Sequence, residues 1–171
     1  MNKIVITGPE SSGKTTLFSS LQEEYDTCGV EEYARVYIDQ LETEYGYNDI
    51  LEIAKGQIES EKNAVQKGCM FMLADTDLLT LEIWCEYKYQ KCHQFIKSNL
   101  RKMLPDYYLL CYPDIPWEYD PQRENPNDRV ELFEMYMAKI VTLGVDYQVI
   151  RGGAVARVED SKTIINNITN P

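Results

Sequence analysis

The pattern of hydrophobic and polar positions divides the chain into short apolar runs and longer segments in which apolar residues recur at helical spacing. The clearest short runs are residues 3–7, 69–74, 107–112 and 147–150, and a weaker, acidic run lies around 30–32. Runs of this length that are apolar throughout are typical of parallel strands covered on both faces. The pattern therefore predicts five strands, of which the second has the weakest signal.

Helical segments separate these runs. Apolar residues recur at helical spacing, and Gly29, Gly68, Pro105 and Gly144 mark the expected ends. The predicted helices are residues 14–25, 50–67, 78–104, 129–142 and 158–168. The third of these helices contains a polar stretch, residues 85–94, and the pattern does not decide whether the helix is interrupted there.

Strands that alternate with helices predict one three-layer α/β/α domain, residues 1–171, around a five-stranded parallel sheet. Ligands bind such sheets at the edge formed by the carboxyl ends of the strands. We therefore expect the chemistry just after Thr7, Glu32, Ala74, Tyr112 and Ile150. A proline-rich polar stretch, residues 113–128, predicts a long loop at this edge, hereafter the lid loop.

The octapeptide "GPESSGKT", Gly8–Thr15, matches the phosphate-binding pattern GxxxxGK[ST] between a strand and a helix. Its glycines let successive N–H groups point inward, Lys14 adds a full charge, and the Thr15 hydroxyl can ligate Mg²⁺. This predicts a P-loop NTPase fold with ATP and Mg²⁺ as cofactors. The predicted nucleotide-binding residues are Gly8, Pro9, Glu10, Ser11, Ser12, Gly13, Lys14, Thr15 and Thr16.

The overall charge restricts the partners. The chain has 28 acidic and 17 basic residues and a net charge of -11, which argues against sequence-independent nucleic-acid binding. Binding of a small anion remains compatible with this net charge. Charges beyond about 10 Å are screened, whereas the phosphate-binding loop, Gly8–Thr15, touches its ligand directly. There is no apolar run long enough for a membrane span and no secretory signal pattern, so we expect a cytoplasmic protein. The oligomeric state stays open, a homo-oligomer included.

Carboxylates and arginines follow the predicted strand ends. We expect Asp75 to help hold Mg²⁺, and Asp77 either to contact substrate or to cap the next helix. Glu32 is the candidate acceptor of a substrate proton and Arg35 a candidate substrate contact, with a solvated turn as the alternative. In the lid loop and just after it, Arg123 and Arg129 are catalytic candidates alongside Lys14, with plain surface arginines as the alternative.

Aromatic and cysteine residues give weaker signals. Four aromatic side chains are candidates for a ring-stacking wall, with core packing as the alternative: Tyr33, Trp84, Tyr87 and Trp117. The chain has five cysteines and no CxxC pair, so we expect small, buried, reduced residues. Cys85, Cys92 and His93 lack the fourth ligand and the spacing of a zinc site.

These stretches together resemble a known family. "ITGPESSGKTTL", "EEYAR", "FMLADTDLLT" and "DYYLLCYPDIPWEYDPQRENPNDRVELFEMY" look like the ribosylnicotinamide kinase domain of NadR-type proteins, in the P-loop nucleoside and nucleotide kinase group. The resemblance covers residues 4–152. It implies transfer of the ATP γ-phosphate to the ribose 5′-hydroxyl of nicotinamide riboside, giving nicotinamide mononucleotide.

By the same resemblance, residues 8–16 bind ATP, Asp75 assists Mg²⁺, Glu32 approaches the substrate hydroxyl, and Arg123 and Arg129 serve the lid. NadR-type proteins can also carry an adenylyltransferase and a DNA-binding domain, which we expect to come from another chain. Two alternatives remain: a kinase for another nucleoside, or a regulatory P-loop ATPase that hydrolyses ATP and binds a partner.

Overall fold

The computed structural model describes residues 1–65 and 68–169. Within these residues, five parallel strands form one sheet in the order β2-β3-β1-β4-β5. The strands are β1 (Lys3–Thr7), β2 (Thr27–Val30), β3 (Phe71–Asp75), β4 (Tyr107–Cys111) and β5 (Asp146–Ile150). The five-stranded parallel sheet predicted from the apolar runs is thus confirmed.

Helices cover both faces of the sheet. They are α1 (Lys14–Glu24), α2 (Tyr33–Asp39), α3 (Tyr47–Val65), α4 (Leu78–Tyr89), α5 (Gln94–Lys102), α6 (Arg129–Leu143) and α7 (Ala154–Thr169). Because side chains alternate along a strand, Ile4 and Ile6 pack with α1 and α7, whereas Val5 packs with the helices α2 to α6. This is the predicted three-layer arrangement, and β1 at its centre carries the phosphate cradle.

The second strand was predicted too late in the sequence. It ends at Val30, so Glu32 precedes a short helix, α2, that the sequence pattern did not indicate. Gly29 lies inside β2 and does not end α1. Its missing side chain leaves room for α1 against this edge strand: a Cβ on Gly29 would lie 1.7 Å from the end of the Gln22 side chain, which would have to move.

The remaining boundaries agree with the pattern to within a few residues. The polar stretch at residues 85–94 does break the helix, because α4 ends at Tyr89 and Gln90 adopts a left-handed conformation with φ 56°. Gly144 ends α6 in the same conformation, with φ 70°. The predicted end of the second helix at Lys67 lies outside the described residues.

The expectation of reduced cysteines is wrong for one pair. Cys28 in β2 and Cys69 just before β3 form a disulfide across a sequence separation of 41 residues. The two Cα atoms lie 5.5 Å apart, which is in the disulfide range, and the bond joins β2 to the segment that leads into its neighbour β3. Cys85 and Cys111 are free and buried, as expected.

Among the residues that the structure describes, no helix is both long enough and apolar enough to cross a bilayer.

Candidate active site

The loop between β1 and α1 forms a cradle of backbone N–H groups, residues 8–15. Gly8 has φ 136°, and a Cβ there would lie 2.6 Å from the Cys111 carbonyl oxygen, so this position accepts only glycine. Gly13 has φ 80° and starts α1. The Ser12 hydroxyl and the Lys14 ammonium donate to the Pro9 carbonyl at 2.7 and 2.9 Å. These two hydrogen bonds connect the beginning of the loop to its end.

A buried arginine that the sequence analysis missed holds this cradle from behind. Arg157, near the start of α7, is 3% exposed, and its guanidinium donates to the backbone carbonyls of Ser12, Tyr112 and Gly152. It also forms an ion pair with Asp114. One side chain thus connects the loops that follow β1, β4 and β5. The only sequence signal is the placement of an arginine shortly after the "GG" that follows β5.

Asp75, the last residue of β3, lies beside the cradle as expected. It is 2% exposed, and its Oδ2 accepts a hydrogen bond from the Thr15 hydroxyl at 2.8 Å. Its other oxygen, Oδ1, is buried without a hydrogen-bond partner. Burial raises the pKa of this carboxyl, against the opposing effect of Lys14 and Thr15. A buried carboxylate oxygen without a donor beside a hydroxyl oxygen fits Mg²⁺, which binds oxygen ligands.

Glu32 lies on the other side of the same edge, just before α2. Burial raises the pKa of its carboxyl, while the positive charge of Lys14 lowers it. Arg35, one turn into α2, contacts Glu32 at 3.2 Å and Asp120 of the lid loop at 3.1 Å. Arg35 therefore links the candidate proton acceptor to the lid loop.

One cavity of about 250 Å³ lies between the cradle and Glu32. Its wall contains the whole cradle, the Glu32 and Arg35 pair, and one face of α4. Trp84 and Tyr87, two of the predicted stacking residues, line it, and the Trp84 indole N–H donates to the Tyr45 hydroxyl at 3.0 Å. Further lining residues that the sequence analysis did not single out are Thr80, Ile83, Gln122, Asn125, Leu132 and Tyr136.

The lid loop lies across the mouth of this cavity and touches the cradle directly. The Ser11 hydroxyl accepts from the Glu118 N–H at 3.0 Å and from the Arg123 guanidinium at 3.3 Å. Arg123 also donates to the Glu118 carbonyl at 2.6 Å. Arg123 therefore lies against the phosphate cradle, where a lid arginine is useful.

Arg129, at the start of α6, has a different place. Its guanidinium donates to the backbone carbonyls of Ser11 and Ile115 at 3.0 and 2.9 Å, and it lies over the Trp117 ring at 5.8 Å. It connects the cradle to the first part of the lid loop.

Two predicted substrate-binding residues lie outside the cavity wall. The buried Asp77 carboxylate accepts from the Leu79 N–H at 3.0 Å and the Tyr108 hydroxyl at 2.8 Å, so it caps α4. This was the other role considered for it. Tyr33 packs against α3, since a Cβ on Gly56 would lie 2.1 Å from its ring. The cap formed by Asp77 is local to the start of α4, whereas only the tertiary structure decides that Tyr33 packs against α3.

A glycine-rich loop that leaves the central strand of a parallel sheet, closes over a lysine and opens a helix defines the P-loop NTPase fold. The comparison with protein families agrees with this class. A family described as "AAA domain" matches residues 3–157. The chain belongs to this AAA domain family.

Curated relatives include the trifunctional NAD biosynthesis/regulator protein NadR of Escherichia coli (strain K12) and of Salmonella typhimurium (strain LT2). Each is 29% identical over 126 residues, which is 70% of this chain and 30% of the relative. The chain thus spans about 30% of the length of these relatives. The resemblance to NadR-type proteins is confirmed.

Two solved structures share the fold. A NadR protein in complex with NR has a TM-score of 0.78 at 18% identity and covers 99% of this chain and 51% of its own. A NadR protein in complex with NAD and AMP-PNP has a TM-score of 0.80 at 18% identity, covering 99% and 50%.

Proposed function

We propose that this protein is an ATP-dependent small-molecule kinase that phosphorylates the 5′-hydroxyl of nicotinamide riboside. The observation that carries the proposal is that one cavity is lined by the complete cradle, an acidic side chain, aromatic side chains and an arginine-bearing loop. A kinase needs room for an acceptor molecule beside the phosphate, whereas a nucleotide hydrolase needs room for a water molecule only.

The acceptor hydroxyl is proposed to attack the γ-phosphorus. A bond forms from the hydroxyl oxygen to phosphorus, the bond from phosphorus to the bridging oxygen of ADP breaks, and the hydroxyl proton passes to the Glu32 carboxylate. The raised pKa of Glu32 suits this role, because the base then works nearer to neutral pH. Arg35, 3.2 Å from Glu32, fixes the direction of that carboxylate.

Positive side chains and the lid loop supply the remaining requirements. Lys14 and Arg123 neutralise charge that spreads over the transferred phosphate. The lid loop keeps water away from it, so that the phosphate goes to the acceptor. Thr15 and Asp75 would hold Mg²⁺, which neutralises phosphate charge when bound; the unpartnered Oδ1 of Asp75 supports this assignment.

The assignment of nicotinamide riboside as acceptor is supported by the relatives and by the cavity wall. A NadR structure contains NR, and the resemblance covers the residues that form the cavity here. In this chain the aromatic side chains of Trp84 and Tyr87 line the cavity, where a flat ring is proposed to pack, and the carboxylates in the wall attract a cationic ring such as nicotinamide. The part of the chain described here is proposed to act as one domain, with residues 113–128 as its lid.

The test is a kinase assay with purified protein, Mg·ATP and a panel of nucleosides that includes nicotinamide riboside. ADP and phosphorylated product are followed together. We expect nicotinamide mononucleotide as the main product. If only another nucleoside is phosphorylated, that nucleoside replaces nicotinamide riboside as the proposed acceptor. Steady ATP hydrolysis without any phosphorylated nucleoside would reject the kinase assignment in favour of a regulatory ATPase.

A further inference from the structure

The third residue of the cradle, Glu10, directs its carboxylate to the lid loop. Its Oε2 accepts from the Glu124 N–H at 2.8 Å, and its Oε1 accepts from the Asn125 N–H at 2.9 Å and the Asn125 side-chain amide at 2.5 Å. Hydrogen bonds to an ionised carboxylate are stronger than neutral ones. A carboxylate does not attract phosphate, so this side chain needs a role other than nucleotide binding.

The neighbouring residue, Ser11, holds the lid loop at a second place. Its hydroxyl accepts from the Glu118 N–H at 3.0 Å. The two attachment points, Glu118 on one side and Glu124 with Asn125 on the other, flank Arg123. The position of Arg123 against the cradle therefore depends on bonds that the cradle itself makes to the lid backbone.

A further contact of the lid loop is an exposed ion pair. Lys88 on α4 pairs with the Glu124 carboxylate at 2.8 Å, with the two side chains 34% and 41% exposed. Exposed ion pairs contribute little to stability because solvent screens them. The bonds from Glu10 go to backbone N–H groups and fix the path of the chain, which an ion pair between two flexible side chains does not.

We propose that Glu10 is a positioning residue that attaches the lid loop to the phosphate cradle and so determines whether the γ-phosphate goes to the acceptor or to water. The proposal rests on the proposed function, because it concerns phosphoryl transfer to an acceptor. Glu10 acts through the lid backbone: with its bonds made, Arg123 lies against the cradle and the cavity is covered. Without them the lid opens and water reaches the phosphate.

The first measurement is hydrogen exchange of the lid amides in the protein without nucleotide. We compare wild type with Glu10→Ala, which removes the acceptor, and with Glu10→Gln, which keeps one oxygen but removes the charge. We expect exchange at Glu124 and Asn125 to be about tenfold faster in Glu10→Ala, with Glu10→Gln between it and wild type. Glu134→Gln, an exposed change on α6, is the matched control and should exchange like wild type. Thermal melts verify that each variant is folded.

The second measurement is the ratio of ADP to phosphorylated nucleoside, with Mg·ATP and nicotinamide riboside. Glu10→Ala should raise this ratio about tenfold, because transfer to the acceptor slows while transfer to water continues. A merely structural role would lower both products together and leave the ratio unchanged.

The outcomes separate the two proposals. Lid amides in Glu10→Ala that exchange at the wild-type rate would overturn the attachment, and faster exchange with an unchanged product ratio would overturn its role in transfer. If wild type makes no phosphorylated nucleoside, the kinase assignment fails. The positioning role is then tested by exchange of the lid amides together with the rate of ATP hydrolysis. If Glu10 keeps water out, the hydrolysis rate must be higher in Glu10→Ala than in wild type. An unchanged hydrolysis rate would overturn the positioning role.

Discussion

The cradle and the lid loop lie in direct contact, yet they are built in different ways. The cradle, residues 8–15, follows a strand with four buried residues and is formed by backbone groups in conformations that Gly8 and Gly13 allow. The lid loop has no regular secondary structure between residues 113 and 128 apart from turns, and it is held by side chains such as Glu10 and Arg35 that come from elsewhere in the chain.

This difference shows how the two halves of the site respond to change. The cradle depends on local geometry and on a buried arginine, so its loss removes function outright. The lid depends on several partly exposed polar contacts, so the loss of one of them reduces its closure only in part. Substitutions in the two regions should therefore differ in size and in kind.

The largest effect is expected in the cradle. Lys14→Ala removes the ammonium that neutralises the transferred phosphate and should lower the turnover number for phosphoryl transfer about 10³-fold. The measurement is product formation at saturating Mg·ATP. Lys62→Ala, an exposed lysine on α3, is the control and should behave like wild type. Transfer at a normal rate in Lys14→Ala would remove the cradle from the mechanism.

Glu32→Gln keeps the shape of the side chain but removes its ability to accept a proton. We expect the turnover number to fall about 10²-fold with little change in ATP affinity. Single-turnover kinetics and nucleotide titration measure the two quantities separately. Normal turnover would assign the proton to another group.

The pH dependence follows from the same residue. Because the pKa of Glu32 is raised, its carboxylate becomes protonated at a higher pH than an ordinary glutamate as the solution is acidified. Transfer should therefore decline on the acid side, starting above the usual glutamate range, and the residual activity of Glu32→Gln should lack this decline. The profile of rate against pH for both proteins tests this, and a decline that survives in Glu32→Gln would point to Asp75, whose pKa is also raised.

Arg157→Met should have the next largest effect, through the support of the cradle. It leaves the carbonyls of Ser12, Tyr112 and Gly152 without their donor, which we expect to lower the free energy of unfolding by about 3 kcal/mol. ATP affinity should fall about tenfold. Denaturant unfolding and ATP titration measure both. Arg101→Met on α5, an exposed residue, is the matched control, and equal stability of the two variants would contradict this role.

The smallest effect is expected in the lid. Asp120→Asn weakens the ion pairs of this side chain with Arg35 and Arg123, while the bonds from Glu10 and Ser11 to the lid remain. Turnover should fall by about threefold, with a rise in the Michaelis constant of the acceptor. Asp160→Asn, exposed on α7, is the control. A fall as large as that of Lys14→Ala would mean that the lid is as indispensable as the cradle.

The comparison also explains which parts of the site were predicted. The cradle directly follows β1, Asp75 is the last residue of β3, and Glu32 lies two residues after β2, so a local motif and the parallel order of strands place them at one edge of the sheet. Asp77 and Tyr33 were candidate substrate contacts with a structural alternative each, and the structure shows the alternative for both: Asp77 caps α4 and accepts from the Tyr108 hydroxyl, and Tyr33 packs against α3. Nothing local distinguishes a carboxylate that faces a ligand from one that caps a helix.

The sequence by itself determined the layers of the fold, the five strands and the phosphate cradle, because apolar periodicity and the glycine pattern act over a few residues. Only the tertiary structure decided that Arg157 supports the cradle, that Glu10 holds the lid, and that Cys28 pairs with Cys69. Each of these contacts joins residues 41 or more positions apart. The distance between such residues is set by the packing of the sheet and its loops, so a pattern of neighbouring residues does not contain it.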